Sequence, residues 1–324
     1  MRRENERENP LSVDCLAAET ERGSDSIQAL PKRLDRYAKA HERTLAMADY
    51  IRSVQHLNPR NGKLSFEMDR CGAYLVFRHY FTADVARLVA ARTCKKHILC
   101  PFCAIRRGSK LYSRYIERIQ MVLEQNSNLK PWMVNFTVKN GPDLAERYQH
   151  LHSNIKALGK LRHLDRGHEI TKCKGSVWSY EFKRGENSKI WHPHVHAIWL
   201  VDKAIDTRKL SAEWLAQTGD SYIVEAHPMY GELLDACAEV FKYAIKFQDL
   251  PFDDNLHAYE ILRNKRLVRS AGLLWGIDVP DTALDDELDD DSWVDVAYHF
   301  MAGSGYNFAG TIAKSEKLKN TESA

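Results

Sequence analysis

Three histidines at alternate positions, His192, His194 and His196, stand in the run Trp191-His192-Pro193-His194-Val195-His196-Ala197-Ile198-Trp199-Leu200. In an extended backbone successive side chains point to opposite faces, so the imidazoles share one face and Val195, Ala197, Trp199 and Val201 the other. Convergent neutral imidazoles can hold one divalent ion, while the apolar face packs on a core. Four cysteines, Cys71, Cys94, Cys100 and Cys103, form a second constellation. The Cys100-Pro101-Phe102-Cys103 knuckle and its two upstream partners offer four thiolates for a tetrahedral structural zinc site, with His97 as a substitute ligand. The chain has seven cysteines, an odd number clustered in this way, which favours a metal site in a reducing compartment over a disulfide framework. Cys15, Cys173 and Cys237 stand apart and read as ordinary residues, Cys237 as a buried one on a helix.

A third group, Glu239, Tyr243 and Lys246, falls at i, i+4 and i+7 and shares one helix surface. A phenol with a pKa of about 10 is a poor nucleophile unless a neighbour takes its proton or a cation stabilises the phenolate. Glu239 can move that proton, Lys246 can hold a phosphate oxygen, and a metal ion can polarise the phosphate. Together they describe phosphodiester cleavage through a covalent phosphotyrosine.

These side chains need particular elements to hold them. Pro131 to Val138 is a strand by its β-branched and aromatic content, and Asp143 to about Leu158 is a helix with Leu144, Tyr148, Leu151 and Ile155 inward. Ser176 to Lys183 is a second strand, in which Trp178, Tyr180 and Phe182 alternate with Val177, Ser179 and Glu181. Arg184 to Lys189 joins it to the histidine run as a hairpin. With a four-residue turn, Glu181 lies opposite His192 or His194 and on their face, adding a carboxylate to the imidazoles. After Val201 come a helix near Thr207 to Gln217, a short strand near Tyr222 to Glu225, and the helix Glu232 to Phe247 that carries the tyrosine.

Upstream, residues 1–28 lack a sustained apolar period and read as disordered, and Pro31 to about Val54 forms an amphipathic helix that Asn58-Pro59-Arg60-Asn61-Gly62 ends. Cys71 to Phe77 is a short β-type run. From Ala104 to about Gln125 a helix turns Ile105, Tyr112, Tyr115, Ile116, Ile119, Val122 and Leu123 inward and Arg106, Arg107, Lys110, Arg114 and Arg118 largely outward. That basic surface, directly behind the cysteine knuckle, suits duplex DNA.

With 324 residues and 44% hydrophobic residues the chain can bury a real core. No long apolar run or signal-type leader stands in the sequence, which places the protein in the cytoplasm. The net charge of +3 conceals segregation: eight Lys or Arg against one acid from Arg92 to Arg118, and nine acids with no base from Asp278 to Asp295. The basic block suits a phosphate backbone and the acidic block a solvated linker or rim.

The histidine run resembles the histidine-hydrophobe-histidine motif of the HUH endonucleases. Glu239 through Lys246 resembles the tyrosine motif of rolling-circle plasmid replication initiators, in the subgroup with Glu four residues before Tyr. Phe136 to Asn140 is similar to that subgroup's first motif. Cys100 to Cys103 with Arg106-Arg107 is similar to its cysteine segment, and Lys265-Arg266-Leu267 through Gly272 and Gly276 to its last block. The resemblance covers roughly residues 70–276. It implies an α+β protein whose HUH endonuclease domain is an antiparallel sheet with helices on one face, ferredoxin/RRM-like, beside a small Cys-rich, zinc-stapled helical module.

On this reading residues 29–126 form the zinc- and DNA-binding region, 127–276 the endonuclease domain, and 277–324 an acidic linker and flexible tail. The resemblance also implies Mg or Mn on His194, His196 and Glu181, with His192 as a neighbour or further ligand. Tyr243 becomes the nucleophile that keeps the 5′ phosphate, and Glu239 the base that activates water for terminating hydrolysis. Lys242 joins the basic residues that hold origin DNA, single-stranded at the nick and duplex nearby. Host helicase and polymerase are expected partners, since the chain carries no phosphate-cradling motor motif. Two other readings fit the same residues: a relaxase or single-strand transposase of the same chemistry, and a non-catalytic zinc-dependent DNA-binding protein.

Overall fold

The computed structural model describes residues 25–164, 167–185, 188–229, 233–241, 247–276, 284–288 and 293–312. In chain order the elements are α1 (Leu30–Ser53), α2 (Arg60–Asp69), β1 (Tyr74–Tyr80), β2 (Val85–Ala91), α3 (Pro101–Gln125), β3 (Lys130–Thr137), α4 (Leu144–Leu161), β4 (Cys173–Arg184) and β5 (Trp191–Val201). They continue as α5 (Thr207–Thr218), β6 (Val224–Pro228), α6 (Leu233–Phe241), α7 (Phe252–Leu262), β7 (Val268–Gly272), β8 (Trp293–Met301) and β9 (Gly305–Ile312). The chain divides into two compact units, residues 1–110 with 280–324, and residues 111–279. Helix α3 runs through that division. The expected 126/127 boundary would have fallen just after this helix, whereas the units separate within it.

The first unit is α+β, not helical. Its sheet has the order β2-β1-β8-β9, so β1 is paired on both sides, by its hairpin partner β2 and by β8 from far along the chain. The expected linker and tail at 277–324 therefore includes two sheet strands. The cue was present in Trp293, Val294, Val296, Tyr298 and Phe300, which suit a half-buried strand, but the acidic run before them masked it. Asp295, which belongs by sequence to that acidic run, is 1% exposed and holds Arg78 with hydrogen bonds of 2.8 and 3.2 Å, directly across the β1–β8 ladder. The Asn58–Gly62 stretch starts a helix as well as ending one: Pro59 adopts φ −56° at the head of α2, and the Asn58 side chain accepts the Arg60 backbone N–H.

The second unit is a five-stranded antiparallel sheet of order β6-β3-β5-β4-β7, with the histidine strand β5 at its centre. On the face away from the histidines Phe136, Trp178, Trp199 and Trp214 form one aromatic cluster, with ring centroids 4.9–5.8 Å apart. Aromatic groups of this size dominate core energetics. Helix α4 starts where the Asp143 carboxylate accepts the Ala145 and Glu146 N–H groups, and it lays Tyr148 against Tyr180 and Phe182 on this same face. Helix α6 stands on the other face. Its Phe241 stacks on Tyr115, which is hydrogen-bonded to Ser270, and Ser270 pairs with Val177 on the Glu181 face of β4. Helices thus cover both faces, where one was expected, because α6 packs over β4 and β5.

Candidate functional site

The β4–β5 ladder pairs Glu181 with His194 and Ser179 with His196. Of the two partners left open by the sequence, the observed register, with Arg184 opposite Trp191, selects His194. On the other side of β5, His196 pairs with Asn135 of β3, which in turn pairs with Glu225 of β6. Directly paired residues share a face, so one carboxylate, two imidazoles and two supporting polar groups line up across the sheet.

The Nε2 atoms of His194 and His196 stand 3.3 and 3.0 Å from the two carboxylate oxygens of Glu181. Their other nitrogens are held. His196 Nδ1 lies 2.8 Å from the Asn135 Oδ1, and the Asn135 amide is oriented by donating to Glu225 at 3.2 Å. His194 Nδ1 lies 3.3 Å from the backbone carbonyl of His192. With the protons on Nδ1, where both rings have oxygen acceptors, the Nε2 lone pairs would be free to share an ion with the carboxylate. These donors, with their Nδ1 partners, could serve a metal ion. Glu181, His194 and His196 form a group that could hold a metal ion, their ligand atoms all within 4.8 Å of one another. His192 lies outside that group and contributes its backbone carbonyl.

The four cysteines come together in the first unit. Cys71 precedes β1, Cys94 follows β2, and the hairpin returns them to one place, with the Cys94 N–H 3.3 Å from the Cys71 sulfur. Cys100 immediately precedes α3, and Cys103 lies on its first turn. Sulfur separations of 3.5 Å for Cys71 to Cys100 and to Cys103, and 3.8 Å for Cys94 to Cys103, fit the roughly 3.8 Å edge of a tetrahedron whose centre lies about 2.3 Å from each sulfur. All four are buried. Burial by itself would raise the Cys100 thiol, but hydrogen bonds from Cys103, Cys71 and Cys94 hold it well below its ordinary value. Those hydrogen bonds, with burial, hold Cys71 and Cys94 well above theirs. The cluster could hold a metal ion.

Two basic residues assigned to DNA have other work in the structure. Arg106 is 2% exposed, pairs with Asp285 and donates to the Tyr37 hydroxyl at 2.8 Å. Lys110 pairs with Asp286 at 3.2 Å. The acidic segment, expected as a solvated rim, places these carboxylates on the first unit's own cations, with Asp285 also bonded by Arg33 at 2.9 Å. Arg107 and Arg114 remain on α3, partly exposed. The Glu239 backbone is helical within α6, while its side chain and Lys242, Tyr243 and Lys246 lie outside the described residues.

Asn135 and Glu225 had no cue in the sequence, because their strands meet β5 and β3 only through long-range pairing. The fold and its clusters define an α+β protein with two separate groups able to hold metal ions. Residues 85–301, well over half of the chain, match the model of a replication protein family, Rep_1, and the chain belongs to that family. Comparison with curated proteins and with solved structures gave no match.

Proposed function

We propose that the protein initiates rolling-circle replication of a plasmid by nicking one strand of its origin with Tyr243. The observation that carries this reading is the Glu181, His194 and His196 group on the central strands, with the helix leading to Tyr243 packed on the same two strands. In the first step the Tyr243 oxygen forms a bond to phosphorus and the phosphorus–O3′ bond breaks. The phenolic proton passes to Glu239, which hands it on to the leaving 3′ oxygen and so returns to its carboxylate form, and the 5′ phosphate stays on the tyrosine. Termination reverses the roles: Glu239 takes a proton from water, the water oxygen bonds to phosphorus, and the tyrosine oxygen leaves and is reprotonated. Lys246 holds a non-bridging phosphate oxygen throughout, and Lys242, Arg107 and Arg114 contact the DNA backbone.

Glu181, His194 and His196 would hold Mg²⁺ or Mn²⁺, which when bound supplies Lewis-acid polarisation of the scissile phosphate. The four-cysteine cluster would hold a structural zinc ion. Single-stranded origin DNA labelled at either end, incubated with the protein and Mn²⁺ or Mg²⁺, tests the reading. The strand segment 5′ of the nick is released with a free 3′ hydroxyl, and the segment 3′ of it stays on the protein. Intact DNA across both metals, with the cognate origin supplied, removes the proposal.

A further inference from the structure

A cavity of about 500 Å³ opens in the second unit between α4 and the edge strand β7. Its floor includes Ser176, Trp178 and Tyr180, which alternate along β4 with the Glu181 face, so the cavity lies on the opposite side of the sheet from the histidines. Its size falls within the roughly 300–1,000 Å³ typical of small-ligand sites. Lys156, Arg162 and Arg269 line it together with His152 and His163, and among the described residues no Asp or Glu does. Burial, followed by the charges of Arg269, Lys156 and Lys265, holds the His152 imidazole below its ordinary value.

The arrangement is built into the backbone. Gly272 has φ +62°, and a Cβ on it would lie 2.1 Å from both the Lys174 carbonyl and an Arg162 guanidinium nitrogen. Only glycine lets Arg162 cross the strand end, where it donates to that carbonyl at 3.3 Å. Trp275 completes the lining and is 77% exposed, a large aromatic surface left to solvent next to the cations.

We propose that this cavity binds a nucleotide, with the base stacked on Trp275 and the phosphate held by Lys156, Arg162 and Arg269. Stacking on an aromatic plane and charge-assisted hydrogen bonds from guanidinium groups are the two interactions a phosphorylated base calls for. That chemistry is shared by a free 5′ mononucleotide and by one nucleotide of a DNA strand. The site is separate from the nicking chemistry proposed above and stands or falls without it.

Calorimetric titration of the full-length protein with dTMP and dGMP, thymidine, inorganic phosphate and a short single-stranded oligodeoxynucleotide tests the assignment. The mononucleotides should bind saturably, with thymidine and inorganic phosphate at least about tenfold weaker. An added Cβ at Gly159 meets nothing within 4 Å, so Gly159→Leu should fill the cavity and remove binding while the melting transition is retained. Lys156→Ala should weaken mononucleotide binding about tenfold. An oligonucleotide that displaces the mononucleotide identifies a DNA strand as the source, and one that does not identifies free nucleotide. Binding unchanged in Gly159→Leu, inorganic phosphate binding as tightly as dTMP, or no saturable mononucleotide binding would each overturn the proposal. Nicking is not read in this assay, so its result is independent of the tyrosine reading.

Discussion

At the level of single residues the metal-site geometry turns on which nitrogen of each imidazole is free. Asn135 fixes His196 through Nδ1, and the Glu225 carboxylate fixes Asn135. Asn135→Ala should weaken Mn²⁺ binding by about 10- to 100-fold, as loss of a supporting partner does elsewhere, while His196→Ala should abolish measurable binding. Equal affinity in Asn135→Ala and the parent protein, by titration of Mn²⁺, would show that the amide does not position the ring. In the cysteine cluster, Cys71 and Cys94 are held protonated by their sulfur neighbours and by burial, so an entering metal must displace those protons. Zinc affinity should therefore rise with pH, and competition titrations at about pH 6.5 and about pH 8 should show tighter binding at the higher value. Cys100→Ser should lose the metal. The histidine alternation and the position of Glu181 were legible in the sequence because period-two patterning survives any uncertainty in strand ends. Asn135 and Glu225 were not, because nothing local reveals which strands pair.

At the level of elements, β8 is the piece the sequence concealed. It pairs with β1 along the whole of that strand, and the buried Arg78–Asp295 pair joins them, with the Arg78 guanidinium 3.7 Å over the Trp293 ring. Removing Asp295 leaves the buried Arg78 with the exposed Glu287 carboxylate, 2.8 Å away, so Asp295→Ala should destabilise the first unit by less than the roughly 3–5 kcal/mol of a fully broken buried pair. Deleting residues 293–324 should do more, exposing the edge of β1, and rapid proteolysis within residues 60–110 together with loss of zinc would report it. A truncated chain that retains zinc and resists protease would show that the two terminal strands are dispensable. The apolar alternation of 293–301 resembles that of any other strand. What obscured it was the adjoining acidic run, whose charges read as solvated until the structure placed Asp285, Asp286 and Asp295 on Arg106, Lys110 and Arg78. The same pairing explains why α3 reads as a basic face by sequence yet neutralises two of its cations internally.

At the level of the whole molecule, two buried histidines in the first unit and a half-buried one in the second resist protonation. Burial lowers His41 and His79 in the first unit and His152 in the second, each from an ordinary value of 6.5. The unfolded chain takes up protons near that value that the folded chain refuses. Stability from these groups is therefore full above about pH 6.5 and is lost as pH falls through the lowered folded values. Melting temperature should drop between about pH 7 and pH 5, above the range where most carboxylates titrate; a flat profile there would contradict it. Division into two units and the central place of β5 follow from long-range pairing, which is why strand positions could be read from the sequence and the sheet memberships could not. Among the described residues no helix is long and apolar enough to cross a membrane. The most direct test of the account is to digest the protein after reaction with origin DNA and Mn²⁺ and to locate the nucleotide-bearing peptide by mass spectrometry. The account predicts a 5′-phosphonucleotide on Tyr243, absent in Tyr243→Phe and in His194→Ala. Attachment at another residue, or an undiminished adduct in Tyr243→Phe, would contradict it.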